Sequence, residues 1–136
     1  MRDFIIFTDG DVDVPEPYNA DVVMLPQYYY FDPNVVYGDE QVLSREKFFE
    51  KLSTRRAYTS GVNPELVRNR FEEVLKENKD ILCITVSSGL SGSHNTICVA
   101  ADELMELYPD SSIKVIDSLS ATLAAGYLCM DALELR

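Results

Sequence analysis

The sequence predicts an α/β fold, an open and mostly parallel sheet flanked by helices. Three observations carry this. Apolar runs rich in Ile, Val and Phe at Asp3–Thr8, Asp80–Val86 and Ile113–Ile116 read as buried strands. Amphipathic helical patterns separate them. Helices placed between buried strands imply parallel pairing through right-handed crossovers. The chain has 136 residues, room for one domain spanning 1–136, and its 46% hydrophobic and 26% charged content is ordinary for a packed globular protein. Disorder and low-complexity structure are therefore excluded.

The first strand, Asp3–Thr8, stops at the cluster Asp9-Gly10-Asp11. Val22–Phe31 is apolar and aromatic with Pro26 in its middle, so a strand there must be broken, bulged or at an edge. Tyr28, Tyr29 and Tyr30 are expected to fill a sheet face. Asp32–Gly38 reads as a turn. Ser44–Leu52 predicts a short helix with Ser44 as N-cap and Phe48, Phe49 and Leu52 on one face. Asn63-Pro64-Glu65 joins a capping residue, proline at the first helical position and an early acid, followed by Leu66, Val67, Phe71, Val74 and Leu75 at helical spacing. Asn95–Leu107 and Ala121–Leu135 read as further helices. The chain ends inside this last pattern with no closing strand, which suits one part of a longer architecture.

Charge and leader-type signals narrow the function classes. The net charge of −11 repels phosphate backbones and anionic lipid surfaces, so nucleic-acid binding is not expected. Uninterrupted apolar stretches such as Phe4–Phe7 and Val22–Leu25 fall far short of the roughly 20 residues that span a bilayer. The N-terminus lacks a basic and apolar leader pattern, so a cytoplasmic location is expected. Cys83, Cys98 and Cys129 are odd in number and sit in apolar segments, which predicts reduced, buried thiols rather than disulfides or a zinc site.

In an open α/β sheet, ligands belong at the carboxyl ends of the strands. Thr8-Asp9-Gly10, the loop Ser87-Ser88-Gly89-Leu90-Ser91-Gly92-Ser93, and Asp117-Ser118 all occupy that position. Small residues between a strand and a helix let backbone N–H groups and serine hydroxyls converge on an anion, either phosphate or carboxylate. The loop is not a P-loop, because Ser93-His94 stands where Gly-Lys-Ser/Thr would require Lys. It is not a nucleophile elbow either, since Gly89-Leu90-Ser91-Gly92 brings the second glycine one position early. His94, the only histidine, is adjacent to these serines in sequence and points differently on a helix, which favours a headgroup contact over a catalytic pair. One His and scattered Cys build no metal site. Asp9-Gly10-Asp11-Val12-Asp13 fails as an EF-hand, which needs Gly where Val14 stands and Glu where Ala20 stands. Asp9 and Asp11, with Thr85 on a later strand, leave a magnesium-dependent phosphatase of the haloacid-dehalogenase type as the alternative.

Four motifs in order resemble the DegV family of fatty-acid-binding proteins, whose members include the lipid-presenting subunit of bacterial fatty-acid kinase. Thr8-Asp9-Gly10-Asp11-Val12-Asp13-Val14-Pro15 is similar to the family's Thr-Asp-Ser-x-x-Asp-Leu-Pro, and Thr59-Ser60-Gly61-Val62-Asn63-Pro64 to Thr-Ser-Gln-Pro-Ser-Pro. Ser87–Ser93 resembles Ser-Ser-x-Leu-Ser-Gly-Thr, and Asp117-Ser118 through Gly126 resembles Asp-Ser-x-x-x-Ser-x-Gly-x-Gly.

The resemblance implies a ligand rather than a reaction: a long-chain fatty acid, its tail in an apolar tunnel and its carboxylate held by hydroxyls that correspond to Thr59 and Ser91. Ser60, Gly92, Ser93 and Ser118 are candidates for supporting contacts, and His94 is a candidate carboxylate partner. Each buried methylene is worth about 0.8 kcal/mol, so the tail supplies most of the affinity while the hydroxyls orient the head. The resemblance also implies no cofactor, and a separate kinase subunit that phosphorylates the bound acid. Full members of the family have roughly twice this length, with a second domain closing the tunnel. Without that half the pocket would have an open apolar wall, which favours a homo-oligomer or a fragment that folds without holding lipid.

Overall fold

In the computed structural model, which describes residues 2–38 and 41–136, four strands form a parallel sheet. They are β1 (Phe4–Asp9), β2 (Val22–Leu25), β6 (Asp80–Thr85) and β7 (Ile113–Asp117), in the order β2-β1-β6-β7. Alternate residues of β6 serve different faces. Ile81 and Cys83 join a core with Val67, Phe71 and Leu75 of α2 (Pro64–Lys76) and Ile97, Ala101 and Leu104 of α3 (Ser93–Leu107). Ile84, with Val86 beyond the strand, packs on Ala125 and Cys129 of α4 (Thr122–Leu135) on the other face. Helices on both faces explain why these strands read as continuous apolar runs. α4 approaches so closely that a Cβ on Gly126 would lie 2.0 Å from the Asp13 carbonyl oxygen, which only glycine allows.

The strand order has a functional consequence. From β1 the chain passes to β2 on one side and later returns to β6 on the other, so the topological switch lies between β1 and β6. Their carboxyl ends, Asp9 and Thr85, face the crevice that such a reversal opens.

Between β2 and α2 the chain makes an excursion whose separate sheet the sequence did not predict. β3 (Tyr28–Asp32), β4 (Val35–Tyr37) and β5 (Tyr58–Ser60) form an antiparallel sheet in the order β4-β3-β5, accompanied by α1 (Arg45–Thr54). Pro26 does break the Val22–Phe31 run, and its halves enter different sheets. Asp32–Gly38, expected as a turn, instead turns only at Pro33-Asn34 and then continues as β4. Tyr30 stacks on Tyr58 and Tyr29 on Tyr37, and because neighbouring residues of a strand point to opposite faces, these rings pack on both faces of the small sheet rather than filling one.

Helix boundaries follow the predicted caps. The Ser44 side chain accepts from the Lys47 N–H, and Asn63 Oδ1 accepts from Glu65 and Leu66 N–H groups. The α1 face is a correction: Phe48 packs on Tyr29 and Phe31, whereas Phe49 is 57% and Leu52 41% exposed. α3 begins at Ser93, two residues before the expected Asn95, because the Gly92 carbonyl already accepts from the Thr96 N–H. Cys83 and Cys129 are buried free thiols, while Cys98 is partly exposed. Among the described residues, no helix is long and apolar enough to cross a membrane.

Candidate functional site

At the β1–β6 switch point the buried Asp9 carboxylate ties the strand ends together. Oδ2 accepts from the Val86 N–H at 2.9 Å and Oδ1 from the Asp11 N–H at 3.2 Å. Burial pushes the Asp9 carboxyl above the ordinary aspartate value, against those two hydrogen bonds. A phosphatase nucleophile needs an accessible oxygen, and Asp9 is fully buried with both oxygens committed to the backbone. Thr85 is equally buried, its hydroxyl bound to His94 Nδ1 at 2.8 Å and donating to the Ile116 carbonyl at 3.3 Å. The geometry that would support the phosphatase alternative is therefore absent from these residues. Among the described residues no cluster of His, Cys, Asp and Glu suits a metal ion.

The serine loop enters α3 as the small-residue motif predicts. Ser93 is fully buried, and its Oγ meets three groups from separate parts of the chain. The Val62 N–H donates to it at 3.2 Å, Gln27 Nε2 donates at 3.4 Å, and Ser91 Oγ lies 3.0 Å away. Ser91 Oγ also accepts from the Ser93 N–H at 3.2 Å. Gln27 Nε2 donates to Asp11 Oδ2 at 2.7 Å. Gly61 faces the same point, since a Cβ there would lie 3.3 Å from Ser93 Oγ.

The predicted residues divide into two groups. Ser91 and Ser93 come together with the Val62 backbone. Thr59 and Ser60 are exposed in β5, three and two positions upstream of Val62, and the Ser60 hydroxyl donates to the Tyr28 carbonyl at 3.5 Å. Gly92 caps α3 with open space where a Cβ would be. His94 turns the other way, towards Thr85 and, through Nε2, towards Cys98 Sγ at 3.5 Å. Ser118 is occupied in its own turn, donating to the Ser120 carbonyl and accepting from the Ser120 N–H. Beside them Asp117 Oδ1 accepts from Ser88 and Leu119 N–H groups, and hydrogen bonding from Ser88 and then Leu119 holds its carboxyl below the ordinary value. Burial raises the Cys98 thiol, with Asp102 and Asp117 adding to the effect, so the Cys98–His94 contact does not favour a nucleophilic thiolate.

Gln27 and the Val62 N–H were missed by the sequence reading. Gln27 is the one amide in the apolar run Val22–Phe31, a signal that could have marked it. The Val62 contact has no side-chain signature at all. A recess of about 400 Å³ opens beside this cluster, lined by Gly10, Asp11, Val86, Leu90, Ala121 and Thr122 among others. Near it Leu90 and Leu119 are 72% and 79% exposed, placing apolar side chains at the rim of the strand ends.

Residues 3–136 match the family described as uncharacterised protein, DegV family. A DegV domain-containing protein of Clostridium perfringens is 35% identical over 141 residues, covering all of this chain and 48% of that protein. Among solved structures, a stearic-acid-binding protein from Eubacterium ventriosum superposes with a TM-score of 0.87 at 25% identity, over 97% of this chain and 47% of that one. The fatty acid kinase B3 protein of Streptococcus pneumoniae, solved with linoleic acid, gives a TM-score of 0.81 at 26% identity, over 98% of this chain and 48% of that one. The chain thus spans about half the length of the relatives it matches. The sheet order, the loop at its switch point and a family match over nearly the whole sequence agree, and the chain belongs to the DegV family.

Proposed function

We propose that this chain binds a long-chain fatty acid, with the carboxylate at the Ser91 hydroxyl and Thr59 and the tail along the apolar rim of the strand ends. The single observation that carries the reading is the hydroxyl cluster at the β1–β6 switch point, where Ser91, half-exposed, stands on the buried Ser93. Ser60, Gly92 and Ser93 flank the head. His94 and Ser118 belong to the neighbouring Thr85–Asp117 cluster, where they support the loops around the head rather than meet it. The relatives' bound stearic and linoleic acids support the ligand class. The acidic surface suits a ligand delivered with its tail buried, because a carboxylate needs local donors to enter a field of net charge −11.

A carboxylate exposed at an edge of the protein is accessible to a second protein, so the chain presents the acid to a kinase subunit rather than transforming it. The test is to extract the purified protein with organic solvent and measure fatty acid by mass spectrometry against a mock purification. It is followed by titration of a Thr59→Ala/Ser91→Ala variant with stearate and octadecanol. Co-purified acid and a loss confined to stearate are expected. Equal losses for acid and alcohol would refute the headgroup assignment.

A further inference from the structure

Hydrogen-bond direction in the serine cluster is set from outside the loop, by a pair that the fatty-acid reading did not use. Asp11 and Gln27 form it. An ionised carboxylate only accepts, so the 2.7 Å contact to Asp11 Oδ2 requires the NH₂ end of the Gln27 amide to face it. The second hydrogen of the same nitrogen is then directed at Ser93 Oγ, 3.4 Å away. Ser93 Oγ has two lone pairs. One receives the Val62 N–H at 3.2 Å and the other receives Gln27. A third donor would exceed its capacity, and its own hydrogen would then have no acceptor in this buried position. The 3.0 Å separation of the two hydroxyl oxygens fits donation in either direction, because hydroxyl hydrogens are not fixed by heavy-atom positions, and the saturation of Ser93 Oγ assigns it as donation from Ser93 to Ser91.

Ser91 Oγ consequently accepts twice, from the Ser93 N–H at 3.2 Å and from the Ser93 hydroxyl. Its own hydrogen has no further partner among the described residues and is left for a ligand acceptor. We infer that Asp11 and Gln27 are positioning residues that make Ser91 an obligatory hydrogen-bond donor, selecting an anionic head over a neutral one. This inference rests on the fatty-acid reading of the Ser91 site. Gly10 makes room for the arrangement, because a Cβ there would lie 3.0 Å from the Gln27 backbone nitrogen.

The inference opposes simple charge reasoning, which makes it testable. Removing the Asp11 carboxylate beside an anion should tighten acid binding on Coulombic grounds alone. Here it should weaken it, because the Gln27 amide is then free to turn its oxygen towards Ser93. Stearate and octadecanol are titrated against the wild-type chain, Asp11→Ala, Gln27→Met, the double variant and Ser91→Ala, with circular dichroism and thermal melts to confirm folding. The expected result is a fall of about fivefold in the acid-to-alcohol affinity ratio for each single variant, the worth of one hydrogen bond. The double variant should match Gln27→Met alone, since both act through one path. An unchanged ratio, or tighter stearate binding in Asp11→Ala, would overturn the inference while Ser91→Ala still lowers the ratio. If Ser91→Ala also leaves the ratio unchanged, the fatty-acid headgroup reading fails and this inference with it.

Discussion

In the parallel sheet, Ile6, Phe7, Cys83 and Ile84 are buried between helices on both faces; in the antiparallel sheet, every residue of β3 is half-buried and all of β5 is exposed. Both are rich in aromatic and β-branched residues. The difference lies in what covers them. Parallel strands need long crossovers, and those crossovers supply α2 and α3 as cover on one face, while α4, which follows β7, covers the other. The antiparallel sheet is joined by a tight turn and served by α1, which buries no residue of its own. Its cohesion comes from cross-strand stacking, such as Tyr30 on Tyr58 with ring centroids 5.5 Å apart. Yet this weaker sheet leads directly into the site: Gln27 precedes β3 and Val62 follows β5, and both donate to Ser93. A stable sheet thus holds the serine loop, and a less protected one orients it.

The sharpest way to break the comparison is to truncate one aromatic in each region. Phe71 is fully buried and meets Phe7 edge-on at 4.9 Å, so Phe71→Ala should cost about 4 kcal/mol in a urea titration. Phe48→Ala, removing the half-buried contact of α1 with Tyr29 and Phe31, should cost about 1 kcal/mol. Equal costs would mean that the two sheets share one cooperative core.

Helix caps sharpen the same contrast at smaller scale. Asn63 satisfies two N–H groups of α2, and Asn63→Ala should lower global stability by about 1 kcal/mol. Ser44→Ala removes one 3.4 Å bond from α1 and should cost about half as much. Hydrogen exchange should show its effect confined to α1 and the antiparallel sheet.

The smallest effect separates two strand ends within the parallel sheet. Burial raises the Asp9 carboxyl above 3.8, so its contribution to stability is fully present below 3.8 and is lost as pH rises through the higher folded-state value. Hydrogen bonds lower Asp117, so its contribution is present above 3.8 and is lost as pH falls through the lower folded-state value. Carboxyl carbon resonances should therefore titrate on opposite sides of 3.8. Coincident midpoints would show that Asp9 is not shielded as its position implies.

Much of this molecule was legible in one dimension. The central strands β1 and β6 announced themselves as apolar runs, because burial on both faces leaves no polar alternation to confuse the pattern, and the less buried edge strands β2 and β7 gave only shorter apolar stretches. The caps at Ser44 and Asn63 and the serine loop before α3 were readable because capping and tight strand-to-helix turns depend on neighbours in sequence. What the tertiary structure alone decided was pairing across distance. β4 and β5 are three residues each, too short for periodicity to register, and exist only because β3 lies between them. The division of the candidate residues, with Ser91 joining Ser93 and His94 turning to Thr85, follows from the 100° step between successive residues on a helix once α3 is docked on the sheet. Gln27 reaches Ser93 across 66 positions of sequence and Val62 donates through a backbone N–H that every residue but proline carries, so neither contact could be specified by residue type alone.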